Sequence, residues 1–231
     1  MAKSARAQQA TADDTPTPRR SPKGMQTRAR LVDAAKQVFE RDGFLDARIV
    51  DIAETANIAP GSFYHYFDSK EQLFREVAQM QEERLTAPPE DTSAGGSDTS
   101  PTDRIRRANR LYLERYWDEA ALMGVIEQVS RYDEHVNAAR MATMKHFVER
   151  AERSIRHMQK DGLVDRRLNP SLAADALGAM VARFAELWLV QGYRDYDFDE
   201  AVEQVSILWA NALGLKDEPA GAARPRPRRV T

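Results

Sequence analysis

At 231 residues, with no cysteine and 30% charged residues, the chain can build one small and one medium domain but neither a disulfide framework nor a thiolate site. No apolar run approaches a membrane span, and the N-terminal stretch, rich in Ala, Thr and Pro, lacks a signal peptide's apolar core, so a cytoplasmic location is expected. The net charge of −2 hides an asymmetry: residues 1–30 hold seven Lys or Arg against two Asp, residues 216–231 hold five against two acids, and the middle carries the excess of acid.

Residues 1–24 read as a disordered basic arm. Arg19, Arg20 and Lys23, with Arg28 just beyond, either add phosphate or minor-groove contacts beside a bound nucleic acid or form a solvated tail. Leu31, Ala34, Ala35, Val38 and Phe39 then recur at helical spacing, so this segment buries one stripe. Gly43 supplies the positive φ that closes such a helix. A second helix carries Ile49, Ile52, Ala53 and Ala56 on its inner face and stops at Asn57, which tolerates the left-handed conformation.

Pro60 suits the first position of a third helix, because its missing N–H costs nothing there. Gly61 and Ser62 are small enough to let that helix start sit close to a phosphate or base edge. Phe63 and Phe67 are spaced to pack inward, which leaves Ser62, Tyr64 and His65 facing outward as candidate DNA contacts. A fourth helix opens at Asp68-Ser69-Lys70-Glu71-Gln72, with Ser69 and Gln72 at capping-box spacing. A lysine in a first turn opposes the helix dipole, so Lys70 is better explained by a phosphate nearby.

This succession from Thr27 to Leu73, with its Asp42-Gly43-Phe44 turn and its Pro60-Gly61-Ser62-Phe63-Tyr64-His65-Tyr66-Phe67 run, resembles the N-terminal domain of the TetR family of one-component transcriptional regulators. The resemblance implies a helix-turn-helix DNA-binding domain over residues 25–85, the fourth helix connecting it to the rest. It further implies phosphate contacts at Tyr64 and Lys70 and approach to the major groove by Pro60, Gly61, Ser62 and His65. Arg28 and Arg48 join the DNA-binding candidates by their charge. Two positions depart from the family pattern. Ala47-Arg48 stands where Thr or Ser usually opens the second helix, leaving Asp46 as a possible cap and Arg48 as a charged substitute for a hydroxyl contact. Ala59 replaces a common capping Ser before the third helix. Residues 25–75 hold seven cations against eight anions, so DNA affinity must come from placement and from doubling the site in a dimer.

Residues 86–102, dominated by Pro, Ser, Thr, Gly and acid, cannot build a core and read as a flexible linker, so signals from the fourth helix must travel through side-chain contacts. Residues 103–215 read as helices near 103–117, 119–130, 133–161, 170–191 and 198–214, making the chain all-α. The last two carry broad apolar surfaces, among them Leu172, Ala176, Leu177, Ala179, Met180, Leu187, Val202, Val205, Leu208, Trp209, Ala212 and Leu213. These suit either a four-helix homodimer interface, as the resemblance implies, or the monomer's own core.

Tyr112, Tyr116, Trp117, Met123, Met144, Phe147, Phe184 and Trp188 are candidates to line an apolar cavity for a mainly hydrophobic small molecule, although such residues at helical spacing are more often plain core. Arg183 stands on the same helix either to hold a ligand anion or to pair with Glu186. His135, His146 and His157 recur every eleven residues, a rise of roughly 16 Å per step at helical pitch, so they do not share a metal. Residues 216–231, with Arg224-Pro225-Arg226-Pro227-Arg228-Arg229, read as an extended basic tail.

No strand-elbow serine, paired-acid context or phosphate-cradling glycine loop is evident, so neither an enzyme, a cofactor nor a metal is expected. The leading expectation is a homodimeric regulator, a repressor by resemblance, that binds a palindromic double-stranded operator and is released by its effector. The alternative is a helical protein-interaction module whose head no longer binds DNA.

Overall fold

A computed structural model describes residues 21–87 and 100–215, so the segments 1–20, 88–99 and 216–231, with Arg19, Arg20, most of the expected linker and the whole C-terminal tail, lie outside it. Among the described residues the chain is all-helical. Helix α1 (Pro22–Asp46) starts earlier than the expected arm boundary. The Ser21 hydroxyl accepts from the Gly24 amide and Pro22 fills the first position, so a capping signal lies within what reads as arm. The helix is broken at Gly43, whose φ of 74° and ψ of 178° no L side chain adopts cheaply.

Helix α2 (Ile49–Thr55) has no side-chain cap, and Asp46 does not supply one. It ends before Asn57, which takes a positive φ of 53°. The segment expected to form the third helix, Pro60–His65, is a 3-10 helix. Its amides reach back three residues, from Ser62 to Ala59 and from Tyr66 to Phe63. With an uncapped Ala59 and a glycine in a six-residue run, the tighter and shorter turn is the form this sequence holds.

Helix α3 (Lys70–Thr86) is capped by Ser69, whose hydroxyl accepts from the Gln72 amide, while the Gln72 side chain accepts from the Asp68 amide. Helices α4 (Pro101–Asp118), α5 (Ala120–Ser130), α6 (Glu134–Lys160), α7 (Pro170–Ala185) and α8 (Phe198–Ala212) follow close to the expected breaks. Ser100, Asp133, Asn169 and Asp197 cap α4, α6, α7 and α8 with their side chains. The end of α7 runs on as a π-helical turn, Glu186–Val190.

The head, α1 to the first half of α3, closes over Leu31, Val38, Phe39, Ile52, Phe63, Phe67, Leu73 and Phe74, all at most 1% exposed. Each such side chain contributes about 1.5–3 kcal/mol on burial. Phe39 meets Phe74 edge to face at 4.9 Å, and Phe44 meets Phe74 at 5.0 Å.

In the body, α3 packs on α6, α6 on α7, α4 on α8, and α1 of the head on α5. Gly124 lets α5 approach the π-helical turn closely: a Cβ there would stand 2.8 Å from Val190 Cγ1. Head and body are also clasped by charge. Lys36 and Arg84 reach Glu119 at 2.6 and 3.6 Å, and Arg75 on α3 reaches Asp133, the α6 cap, at 2.9 Å. Burial pushes the Asp133 carboxyl up, but the Arg75 guanidinium and the Val136 and His135 amides outweigh it and hold it below its ordinary range.

Candidate functional site

Buried Phe63 and Phe67 anchor the 3-10 segment to the head core and leave Pro60, Gly61, Tyr64 and His65 exposed, with Ser62 half-buried among them. Tyr64 is 61% exposed, a large aromatic held out in solvent by the Phe63 ring it meets edge to face at 5.3 Å. Five of the eight expected DNA-contacting residues therefore lie on this one short segment, four of them exposed.

The three expected cations behave differently. Lys70 donates to the carbonyls of Phe44 at 2.7 Å, Leu45 at 3.2 Å and Ala47 at 2.8 Å, and its ammonium lies 4.7 Å from the Phe44 ring centre. These carbonyls follow the Gly43 break and have no helical partners, so the ammonium spends all three donors on joining the start of α3 to the α1–α2 turn. Arg28 makes a two-pronged pair with Glu76 of α3 and lies over the Phe67 ring at 4.7 Å. Arg48, 74% exposed, pairs with Asp51 at 2.7 and 2.8 Å, and that hydrogen bond is what chiefly holds its pKa above the ordinary value. Arg30, unremarked in the sequence, donates to the Ala56 and Asn57 carbonyls that end α2. An open groove of about 400 Å³ lies beside it, bordered by Asp33, Gln37, Thr55 and Asn57.

The expected effector residues separate into two groups. Tyr112 meets Tyr116 at 5.8 Å and Phe147 at 5.4 Å between α4 and α6, with Met123 buried in the same core. Trp117, Phe184 and Trp188 instead form an aromatic cluster with Tyr196 and Phe198 near the end of α7, where Trp117 is 49% exposed. Met144 is half-buried on α6. Arg183 is 55% exposed and pairs with Glu186 at 2.5 Å. Neither the groove beside Arg30 nor a small cavity of about 20 Å³ between α1, α3 and α5 touches either group.

Unexpected from the sequence is the charge around Tyr112 and Tyr116. Glu82 is 3% exposed and Glu186 7%. Glu127 pairs with Arg140, whose guanidinium also donates to the Ser130 hydroxyl at 2.9 Å. Burial raises the Tyr116 hydroxyl far above its ordinary pKa, the negative charges of Glu186, Glu127 and Glu82 raise it further, and Arg140 opposes them. One signal for these acids was available. Phe74, Val77, Ala78 and Leu85 form the inner stripe of α3, and Gln81 and Glu82 occupy its remaining buried positions.

On α7 and α8, Trp188, Val202, Val205 and Leu213 fill the monomer's own core. The apolar surface left outward consists of Leu172, 70% exposed, with Ala176 and Ala179 one and two turns on, and Leu208, 54% exposed, with Ala212 on α8. Among the described residues no helix is long and apolar enough to cross a membrane, and no group of three or more His, Asp or Glu is arranged to hold a metal ion.

Comparison with known proteins agrees on the head. Residues 31–77 match the family model described as bacterial regulatory proteins, tetR family. The HTH-type transcriptional regulator UidR of Escherichia coli K12 is 38% identical over 61 residues, 26% of this chain and 31% of UidR, so this match spans under a third of that relative. The HTH-type transcriptional repressor DhaR of Mycobacterium sp. strain GP1 is 26% identical over 155 residues, 65% of this chain and 76% of DhaR. The structure of the fatty acid degradation regulator FadR from Bacillus halodurans superposes with a TM-score of 0.62 over 81% of this chain and 99% of FadR, at 19% identity, a likeness of fold.

Proposed function

The chain belongs to the TetR family of bacterial regulatory proteins, and on that footing we propose that it is a ligand-responsive repressor that binds a two-fold operator as a homodimer and leaves it when a mainly hydrophobic small molecule binds the body. The observation that carries this reading is the exposed Pro60, Gly61, Tyr64 and His65 surface, mounted on Phe63 and Phe67 at 0% and 1% exposure. A rigid apolar footing under a small, polar and aromatic surface is what reading base edges requires. Tyr64 takes a phosphate, Ser62 and His65 approach bases, and Arg48 exchanges Asp51 for a phosphate on binding. Lys70 acts by bracing the base of α3 rather than by gripping DNA. The Leu172, Ala176, Ala179 and Leu208 surface forms the dimer contact, which sets the spacing of the two heads.

A specific observation favours a second reading, a protein-interaction module. Arg28, Arg41, Arg48 and Lys70 are already engaged with Glu76, Asp42, Asp51 and backbone carbonyls. Selecting bound duplexes from a random library with the full-length protein separates the two. An enriched inverted repeat, bound by a protein of dimer mass, is expected. No enrichment even at low salt sinks the regulator in favour of the interaction module.

A further inference from the structure

The body's interior holds an imbalance that its own residues do not cancel. Glu127 is neutralised by Arg140, and Glu186 by Arg183 at the rim. Among the described residues Glu82, on the helix that joins head to body, has no ion-pair partner of its own: Arg140 attracts it from nearby but pairs with Glu127 and donates to Ser130, and the Thr143 hydroxyl from α6 is a neutral donor. Its Oε1 is buried without a hydrogen bond, as is Oε1 of the adjacent Gln81. The unmet Glu82 oxygen is an acceptor, so the missing group is a donor. That oxygen belongs to a carboxylate that Arg140 answers only from a distance, so the donor that completes the site carries about one positive charge. The Tyr112 and Tyr116 hydroxyls on α4 lie close enough to feel the charge of this acid, and Phe147 of α6 packs edge to face on Tyr112; ring faces attract a cation while covering an apolar body.

We propose that the effector is a lipophilic amine in its protonated, N–H-bearing form, its ammonium seated at Glu82 and its hydrophobic portion packed among Tyr112, Tyr116 and Phe147. An anionic effector is disfavoured by the Glu82 carboxylate, and a neutral one leaves the Glu82 charge unanswered. The inference rests on the regulator reading and gives its effector a charge class. It also gives the signal a route. Seating a ligand at Glu82 spreads α3 from α6, and the first half of α3 is built into the head core, so amine and DNA bind in mutual opposition.

The test compares binding of matched probes (phenylbutylamine, phenylbutanol, phenylbutanoate and larger two-ring amines with their alcohol and acid counterparts) to the full-length protein, read by calorimetry and by release from the selected duplex. The amines bind and release DNA, and alcohols and acids do so at least about tenfold more weakly, the worth of one charge-assisted hydrogen bond. Glu82→Gln removes the preference for amines while leaving DNA binding intact, and Glu127→Gln, a second acid beside the same rings, weakens it less. Equal binding of alcohols, tighter binding of acids, no binding by any amine, or an amine preference that survives Glu82→Gln overturns the proposal. If the duplex is bound and amines have no effect, the effector class fails alone. If no duplex is bound, the regulator reading fails with it.

Discussion

Helix α3 has two halves that obey different rules. From Leu73 to Ala78 it contributes Leu73, Phe74, Val77 and Ala78 to a head core without a buried acid, and from Gln81 onward the same face carries Gln81 and Glu82, 2% and 3% exposed, with oxygens that lack hydrogen bonds. Unpaired buried acceptors cost about 1–3 kcal/mol each, more when charged, so the second half is held less tightly than the first. Rigidity sits under the surface proposed to read DNA. Unmet polarity sits where the proposed effector would change the packing.

The sharpest way to break the comparison is to carve the rigid half. Phe63→Ala empties a fully buried site beneath the reading surface and is expected to cost about 3–5 kcal/mol and all operator binding, measured by urea denaturation and gel shift. A loss below about 1 kcal/mol would mean the head core is as yielding as the body.

Glu82→Gln tests the other half with the opposite sign. Burial raises the Glu82 pKa, so the folded state takes up its proton more readily than the unfolded chain does. The wild type therefore gains stability as pH falls through the raised pKa toward the unfolded value near 4.5, and gains nothing further below it. Glu82→Gln is expected to melt higher than wild type at neutral pH, by about 1–3 kcal/mol of stability, and to lose that part of the pH dependence. A lower melting point would show that the Glu82 charge is already satisfied.

Lys70→Met removes the brace between α3 and the Gly43 turn and is expected to cost about 1–2 kcal/mol while leaving the salt slope of operator binding unchanged. A slope that falls by about one unit, with stability kept, would return Lys70 to the phosphate contacts.

Asp133→Asn keeps a competent cap for α6 but drops the charge facing Arg75, so a loss of about 1 kcal/mol or less is expected above the acid range, together with weaker coupling between effector and operator. Because the Asp133 pKa is lowered, the wild-type contribution is present above the unfolded value and disappears as pH falls through the folded one. The smallest effect on stability, within about 0.5 kcal/mol, belongs to His65→Ala, which should change base preference instead.

Much of this architecture was legible in local chemistry. Gly43 and Asn57 take the positive φ their types announce, and Ser69, Asn169 and Asp197 cap the helices they precede. What escaped reading depends on partners far along the chain. Nothing near Lys70 in the sequence announces that the carbonyls exposed by the Gly43 break meet its ammonium from 23 to 26 residues away. Glu82 looks like one more acid on a polar helix until α4, α5 and α6 enclose it. The 3-10 form of Pro60–His65 was hidden because its proline and glycine also suit an α-helical start.

The central claim, that the Pro60–His65 surface reads duplex DNA, is tested most directly by the affinity of the full-length protein for its selected duplex across a range of salt concentrations, with protomers per duplex counted alongside. The account predicts two protomers per inverted repeat and an affinity that falls steeply with salt, and loses about one phosphate contact per protomer in Arg48→Gln. Binding that is flat in salt, or that survives simultaneous replacement of Ser62, Tyr64 and His65 by alanine, would contradict it.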